Sequence, residues 1–174
     1  METNSTILCL HKLFNTDIKK FLSAEAELKS ALSLWATNSM AGSFRTLLLD
    51  YQDVIQGHIE KLNGLIVKEQ ITTVPILNKV MLALIYEANE ATSVCKYQEV
   101  KDACLLGGVQ NIIHWKIGSY GTAATFASTL ELEGIASVFH QLVKNEKYFD
   151  ERLTHLAKHN INNLAVEPLS QLDD

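Results

Sequence analysis

Residues Ala103–Leu130 read ACLLGGVQNIIHWKIGSYGTAATFASTL, and Lys116 is the only charged residue among them. Small residues recur along the stretch at Gly107, Gly108, Gly118, Gly121, Ala123, Ala124 and Ala127. A helix this neutral on every side is either buried in a bundle or crosses a membrane. Gln110, Asn111, His114 and Ser119 lie near its centre. Lipid would leave such groups unsatisfied, so they argue for a packed protein interior. The stretch reads as the central helix of a soluble bundle.

The segments on either side supply its partners. Phe14, Ile18, Phe21, Leu28, Leu32 and Trp35 recur at spacings of three and four, which predicts a first helix over 15–35 that Asn38 and Ser39 interrupt. Phe44, Leu48, Tyr51, Ile55, His58, Leu62 and Leu65 give a second helix over 43–67. After a loop over 68–74, Pro75 suits a first helical turn, and Leu77, Met81, Leu84 and Ala88 mark a shorter helix over 75–92. The central helix extends over 99–128. A fifth, from a turn near Gly134 to about Lys158, carries Ile135, Phe139, Leu142, Glu146, Phe149, Leu153 and Leu156. No strand pattern competes with these periodicities, and only two prolines, Pro75 and Pro168, interrupt 174 residues. The expectation is one all-α domain over 1–162, a bundle of about five helices with an antiparallel four-helix core. A short, loosely ordered tail follows over 163–174.

Bulk properties narrow the function. Fifteen basic residues against 20 acidic ones give a net charge of −5, and the basic residues do not cluster, which excludes a nucleic-acid partner. Cys9, Cys95 and Cys104 form no CxxC pair, and their odd number argues against a disulfide framework and for the cytoplasm. METNSTILCLHKLF has no basic segment leading into a long apolar one, so no signal peptide is expected, and the polar residues within 103–130 argue against a membrane partner. Gly-rich phosphate loops, Ser-His-Asp arrangements and zinc spacings are missing from the sequence.

Four of the apolar seams are interrupted near their middles, by Glu25, by His58 (with Tyr51 one heptad earlier), by Lys116 and by Glu146. Mid-helix positions meet at one level in an antiparallel bundle, so these residues compose a candidate buried polar layer. Asp150 stands at its edge, four residues after Glu146. Ferritin-like proteins hold two metals with about four carboxylates and two histidines, including Glu-x-x-His pairs. This chain has no Glu-x-x-His, and an ammonium among metal ligands repels the cation. The first reading is therefore a Glu25–Lys116–Glu146 ion network with His58 and Tyr51, in a structural or interaction protein rather than an enzyme. The second is an iron or manganese site using Glu25, His58, Glu146 and Asp150, with His114 as a further ligand. A third is a small molecule held in the bundle core against Trp35, Trp115 and Tyr120. The plain alternatives are a seam-edge carboxylate reaching water, a lysine extending to the surface and a hydrogen-bonded core histidine.

The motifs SAEAEL (23–28), QGHIEKL (56–62), LIYEANEA (84–91), VKDACLLGGVQNIIHWKIGSYGT (100–122) and EKYFDERLTHLA (146–157) resemble the YciF-like ferritin-like proteins of bacteria, which are associated with stress responses. The resemblance covers about residues 10–165. It implies a five-helix ferritin-like bundle, a homodimer and, in some members, a carboxylate-rich metal site. Glu25, Glu146 and Asp150 stand where that family has acids. The family pattern EHYE is replaced by Ile113, His114, Trp115 and Lys116, removing both acids. Tyr51 stands for a family histidine, Ile55 for a threonine, His58 for a glutamine and Leu82 for an acid, so the resemblance implies a degenerate metal site.

Overall fold

The computed structural model describes residues 6–71 and 76–166. Five long helices carry the chain: α1 (Leu10–Asn38), α2 (Gly42–Lys68), α3 (Lys79–Ser93), α4 (Gln98–Thr129) and α5 (Glu133–Leu156). Helix α5 continues through a π-helical turn, Ala157–Ile161, into a short α6, Asn162–Val166. The bundle expected from the seams is present, with three differences at the ends. Helix α1 begins at Leu10, five residues before the expected start at 15. Helix α3 begins at Lys79, where the Asn78 side chain caps it by accepting a hydrogen bond from Met81 N at 3.0 Å; Pro75 lies outside the described residues. Residues 163–166, expected in a loose tail, are helical, while Pro168 is outside the described residues.

Topology follows from which helices pair. Helices α1 and α2 form one antiparallel hairpin and α4 and α5 another, and the hairpins pack as a four-helix core. Helices α2 and α4 run in the same direction, so the chain between them must travel back along the bundle. Helix α3 makes that return on the outside, against α4 and α1. The small residues of α4 permit its close approach: a Cβ added to Gly108 would lie 2.8 Å from Ala88 Cβ. At one end, Asp102 of α4, 2% exposed, accepts hydrogen bonds from Met40 N (3.1 Å) and Ala41 N (2.8 Å) and fixes the α1–α2 corner. At the other, α2 and α4 close with 6→1 hydrogen bonds from Ile71 N to Ile66 O and from Leu132 N to Ala127 O. Each of these turns holds a non-glycine residue in the left-handed region, Gln70 (φ 49°) and Glu131 (φ 60°).

The apolar interior falls into two clusters. One contains Leu28, Leu32, Trp35, Phe44, Leu48, Ile55, Val109, Ile113 and Phe149; the other contains Phe14, Ile18, Phe21, Leu62, Ala123, Phe139 and Leu142. Between them, on four helices, lie the seam interruptions. No helix among the described residues is long and apolar enough to cross a membrane.

Candidate functional site: a buried ion network

Glu25 on α1, Tyr51 and His58 on α2, Lys116 on α4 and Glu146 on α5 meet at one level of the bundle, and none exceeds 1% exposure. Each occupies a seam position one heptad or half-heptad from apolar neighbours, so the same packing that buries those neighbours carries these polar groups inward. Lys116 is the hub. Its Nζ lies 2.6 Å from Glu146 Oε1 and 3.0 Å from Glu25 Oε2, and donates a hydrogen bond to Tyr51 OH at 3.1 Å. Lys116 also stands 5.1 Å from the ring centre of Tyr51 and 5.7 Å from that of Tyr120, within cation–π range.

The remaining donors complete the carboxylates. Tyr51 OH donates to Glu146 Oε2, and Tyr120 OH donates to Glu25 Oε1. His58 Nδ1 lies 3.2 Å from Glu25 Oε1 and 3.4 Å from Glu146 Oε1. On the other side of the ring, Asn145 Nδ2 is 3.1 Å from His58 Nε2, while Asn145 Oδ1 accepts from Gln141 Nε2 at 3.0 Å. With Asn145 donating to Nε2, the hydrogen-bond pattern assigns the ring proton to Nδ1, facing the acids.

The two acids are unequal. Burial pushes Glu25 up, but Lys116, His58 and Tyr120 together outweigh it and hold this carboxyl below its ordinary value. Burial also pushes Glu146 up, Lys116 opposes it and the charge of Glu25 adds to it, leaving Glu146 above its ordinary value. Glu146 Oε1 has the close Lys116 contact yet no donor at hydrogen-bonding angles. One ammonium cannot fully serve two carboxylates in a dry interior. Burial and then the neighbouring carboxylates drive both phenols well above their ordinary range, so Tyr51 and Tyr120 remain protonated donors.

Asp150, expected at the edge of the layer, and His114, off the seam and considered only as a further metal ligand, lie outside it. Asp150 is four residues beyond Glu146, a rotation of about 40° past a full turn, which swings it off the seam that Phe149 and Leu153 continue. It faces the outer edge of α4, accepting from Gln110 Nε2 at 3.2 Å and pairing with His114 Nε2 at 3.0 Å. His114 is 60% exposed there and is not part of the layer. Conversely, Tyr120, expected only against a ligand in the bundle core, and Asn145, with no expected role, belong to the network. Tyr120 is one turn beyond Lys116 on the same seam, and Asn145 adjoins Glu146. The aromatic pocket expected from Trp35, Trp115 and Tyr120 is not assembled: Trp35 packs in one apolar cluster, with Trp115 against it, and Tyr120 lies in the other. Trp35 instead borders a surface cleft of about 380 Å³ between the ends of α1, α3 and α4, and its Nε1 donates to Asn89 Oδ1 at 2.8 Å.

One donor atom from each of Glu25, His58 and Glu146 falls within 4.8 Å of the others, close enough to reach a single ion. The ammonium of Lys116 already contacts both carboxylates of that set. A divalent cation bound by the same oxygens would sit against this positive charge, so the donor set does not fit a metal while Lys116 is charged and in place.

Comparison with known proteins agrees with the bundle and the motifs. The family model described as "Domain of unknown function (DUF892)" matches residues 9–166. Protein YciF of Escherichia coli (strain K12) is 32% identical over 144 residues, covering 82% of this chain and 87% of YciF. The crystal structure of the E. coli stress protein YciF superposes with a TM-score of 0.84 at 28% identity, covering 90% of this chain and 99% of that one. YcfI from Rhodopseudomonas palustris shares the fold, with a TM-score of 0.83 at 21% identity over 87% of this chain and 96% of that one. With its helical bundle, its motifs and a match spanning nearly all its length, the chain belongs to the DUF892 family.

Proposed function

We propose that this protein is a non-enzymatic, stress-associated structural or interaction protein with a ferritin-like bundle, in which a Glu25–Lys116–Glu146 network with His58, Tyr51 and Tyr120 stands in place of a metal centre. The observation that supports it is Lys116, fully buried and within 3.0 Å of both carboxylates. Its charge supplies what a cation would otherwise supply between them. The stress association is drawn from the relative called a stress protein. A homodimer in the cytoplasm completes the reading; exposed apolar residues such as Leu34, Met40 and Tyr86 offer contact area, and three free thiols suit a reducing compartment.

The second reading is a protein that binds one iron or manganese ion through Glu25, His58 and Glu146, and the proximity of their donor atoms favours it. It requires Lys116 to leave its place. Untagged protein incubated anaerobically with Fe(II) or Mn(II), desalted and analysed by inductively coupled plasma mass spectrometry separates the two. Metal far below one equivalent is expected, and near-stoichiometric metal would overturn the proposal. Light scattering checks the dimer, and a monomeric mass would remove that part.

A further inference from the structure

The α3–α4 hairpin brings two thiols together. Ala88 and Gly108 are in contact across it, and because the helices are antiparallel the register places residue 92 opposite residue 104. Cys95 lies beyond the end of α3, but its sulfur turns back to Ala91 O at 3.4 Å, onto the level of Cys104. Cys104 stands one helical turn before Gly108, on the side of α4 that meets α3, and both thiols are only partly buried. Cys9 precedes α1 at the other end of the bundle, separated from this hairpin by a helix of 29 residues, about 40 Å long.

We infer that Cys95 and Cys104 form a peroxide-responsive dithiol that closes to an intramolecular disulfide pinning the α3–α4 turn. The Cys104 sulfur, as thiolate, attacks one oxygen of hydrogen peroxide, breaking the O–O bond and releasing hydroxide, which takes up a proton to leave as water. Cys104 is then a sulfenic acid. Cys95 gives up its thiol proton and attacks the Cys104 sulfur, forming the S–S bond and expelling a second water. Two thiols are oxidised and one peroxide is reduced to two waters. Burial and then the neighbouring Cys104 push the Cys95 thiol up, which suits it to act second. Partial burial admits a small oxidant while sheltering the linked product from bulky reductants.

The sequence makes the test direct. Trypsin cuts after Lys79, Lys96, Lys101 and Lys116, which separates the thiols into the peptides 80–96 and 102–116. The reduced full-length protein is exposed to a small excess of hydrogen peroxide, alkylated and digested without reductant. Mass spectrometry should find these two peptides joined, with the link removed by dithiothreitol. Cys9→Ser should leave the yield unchanged. Cys104→Ser should abolish the link, and Cys95→Ser should abolish it and leave a dimedone-reactive sulfenic acid on Cys104. Linkage of Cys9 between chains in its place, overoxidation of Cys104 in the wild type without linkage, or unreacted thiols at that dose would each overturn the inference. The wild-type result decides by itself, whatever the variants' stability.

Discussion

Lys116 has no exposed surface and two carboxylates within 3.0 Å, so its contribution is read from what its removal leaves behind. Replacing it with methionine keeps the volume and leaves Glu25 and Glu146 facing one another in a dry interior. That loss should cost about 3–5 kcal/mol at neutral pH, seen as a lower midpoint in a denaturant titration. A variant as stable as the parent would show that Lys116 does not hold the acids. The acids themselves should differ. Glu25, held below its ordinary value near 4.5, gives stability that is present above that value and is lost as pH falls through its folded value. Glu146, held above it, binds its proton more tightly in the folded state, so its contribution is greatest in acid and fades as pH rises through the folded value. The wild type's advantage over Glu25→Gln should therefore grow from acid to neutral pH, and its advantage over Glu146→Gln should shrink. Urea midpoints across the range from acid to neutral would show this as two opposite slopes, and parallel slopes would refute the assignment. Most of these residues were legible from sequence because they interrupt four apolar seams near their middles, where an antiparallel bundle brings the seams to one level. Asp150 was drawn toward the layer because four residues overshoot a full turn by about 40°, enough to leave the seam, and Asn145 was missed because its role depends on its partner across the bundle.

Helix α4 carries the same logic at the level of an element, where the question is what its small residues are for. Gly108 touches Ala88, whereas a Cβ at Gly107 would meet nothing within 4 Å. Gly108→Ala should separate α3 from α4 and lower stability by about 1–3 kcal/mol, with Ala88→Gly in the same chain restoring much of it. Gly107→Ala should instead raise stability by about 0.5–1 kcal/mol, since alanine stiffens the unfolded chain and favours the helix. Thermal melts of the three variants beside the wild type check both signs. Equal effects of the two single substitutions would mean that the contact does not set the spacing of the hairpin. The helices themselves were readable because each is long and its period repeats many times. Their ends were less so. The start of α3 depends on Asn78 capping Met81 N and donating to Lys20 O at 3.2 Å, a contact between helices that no local pattern encodes. Helical continuation past Lys158 likewise rests on packing, with Ile161 buried against the core.

For the whole molecule, the polar layer separates two apolar clusters, and its members hold one another rather than the water outside. Breaking such a layer one group at a time is costly, yet exchanging all of it for apolar groups of similar shape need not be, because the desolvation of every charge is then removed together with its pairing. Changing Glu25, Lys116 and Glu146 to methionine, Tyr51 and Tyr120 to phenylalanine and His58 to leucine removes the buried donors and acceptors as a set and leaves Asn145 its Gln141 partner. This combined variant should be at least as stable as the wild type and well above Lys116→Met, a strongly non-additive result that a denaturant titration would read directly. It should also lose the opposing pH slopes of the two acids. A combined variant that falls by the sum of its single changes would mean that the layer contributes net stability of its own, beyond satisfying charges that the fold has already buried. A stable but poorly dispersed NMR spectrum would assign it a different part, fixing the register of four helices whose apolar seams would otherwise slide past one another.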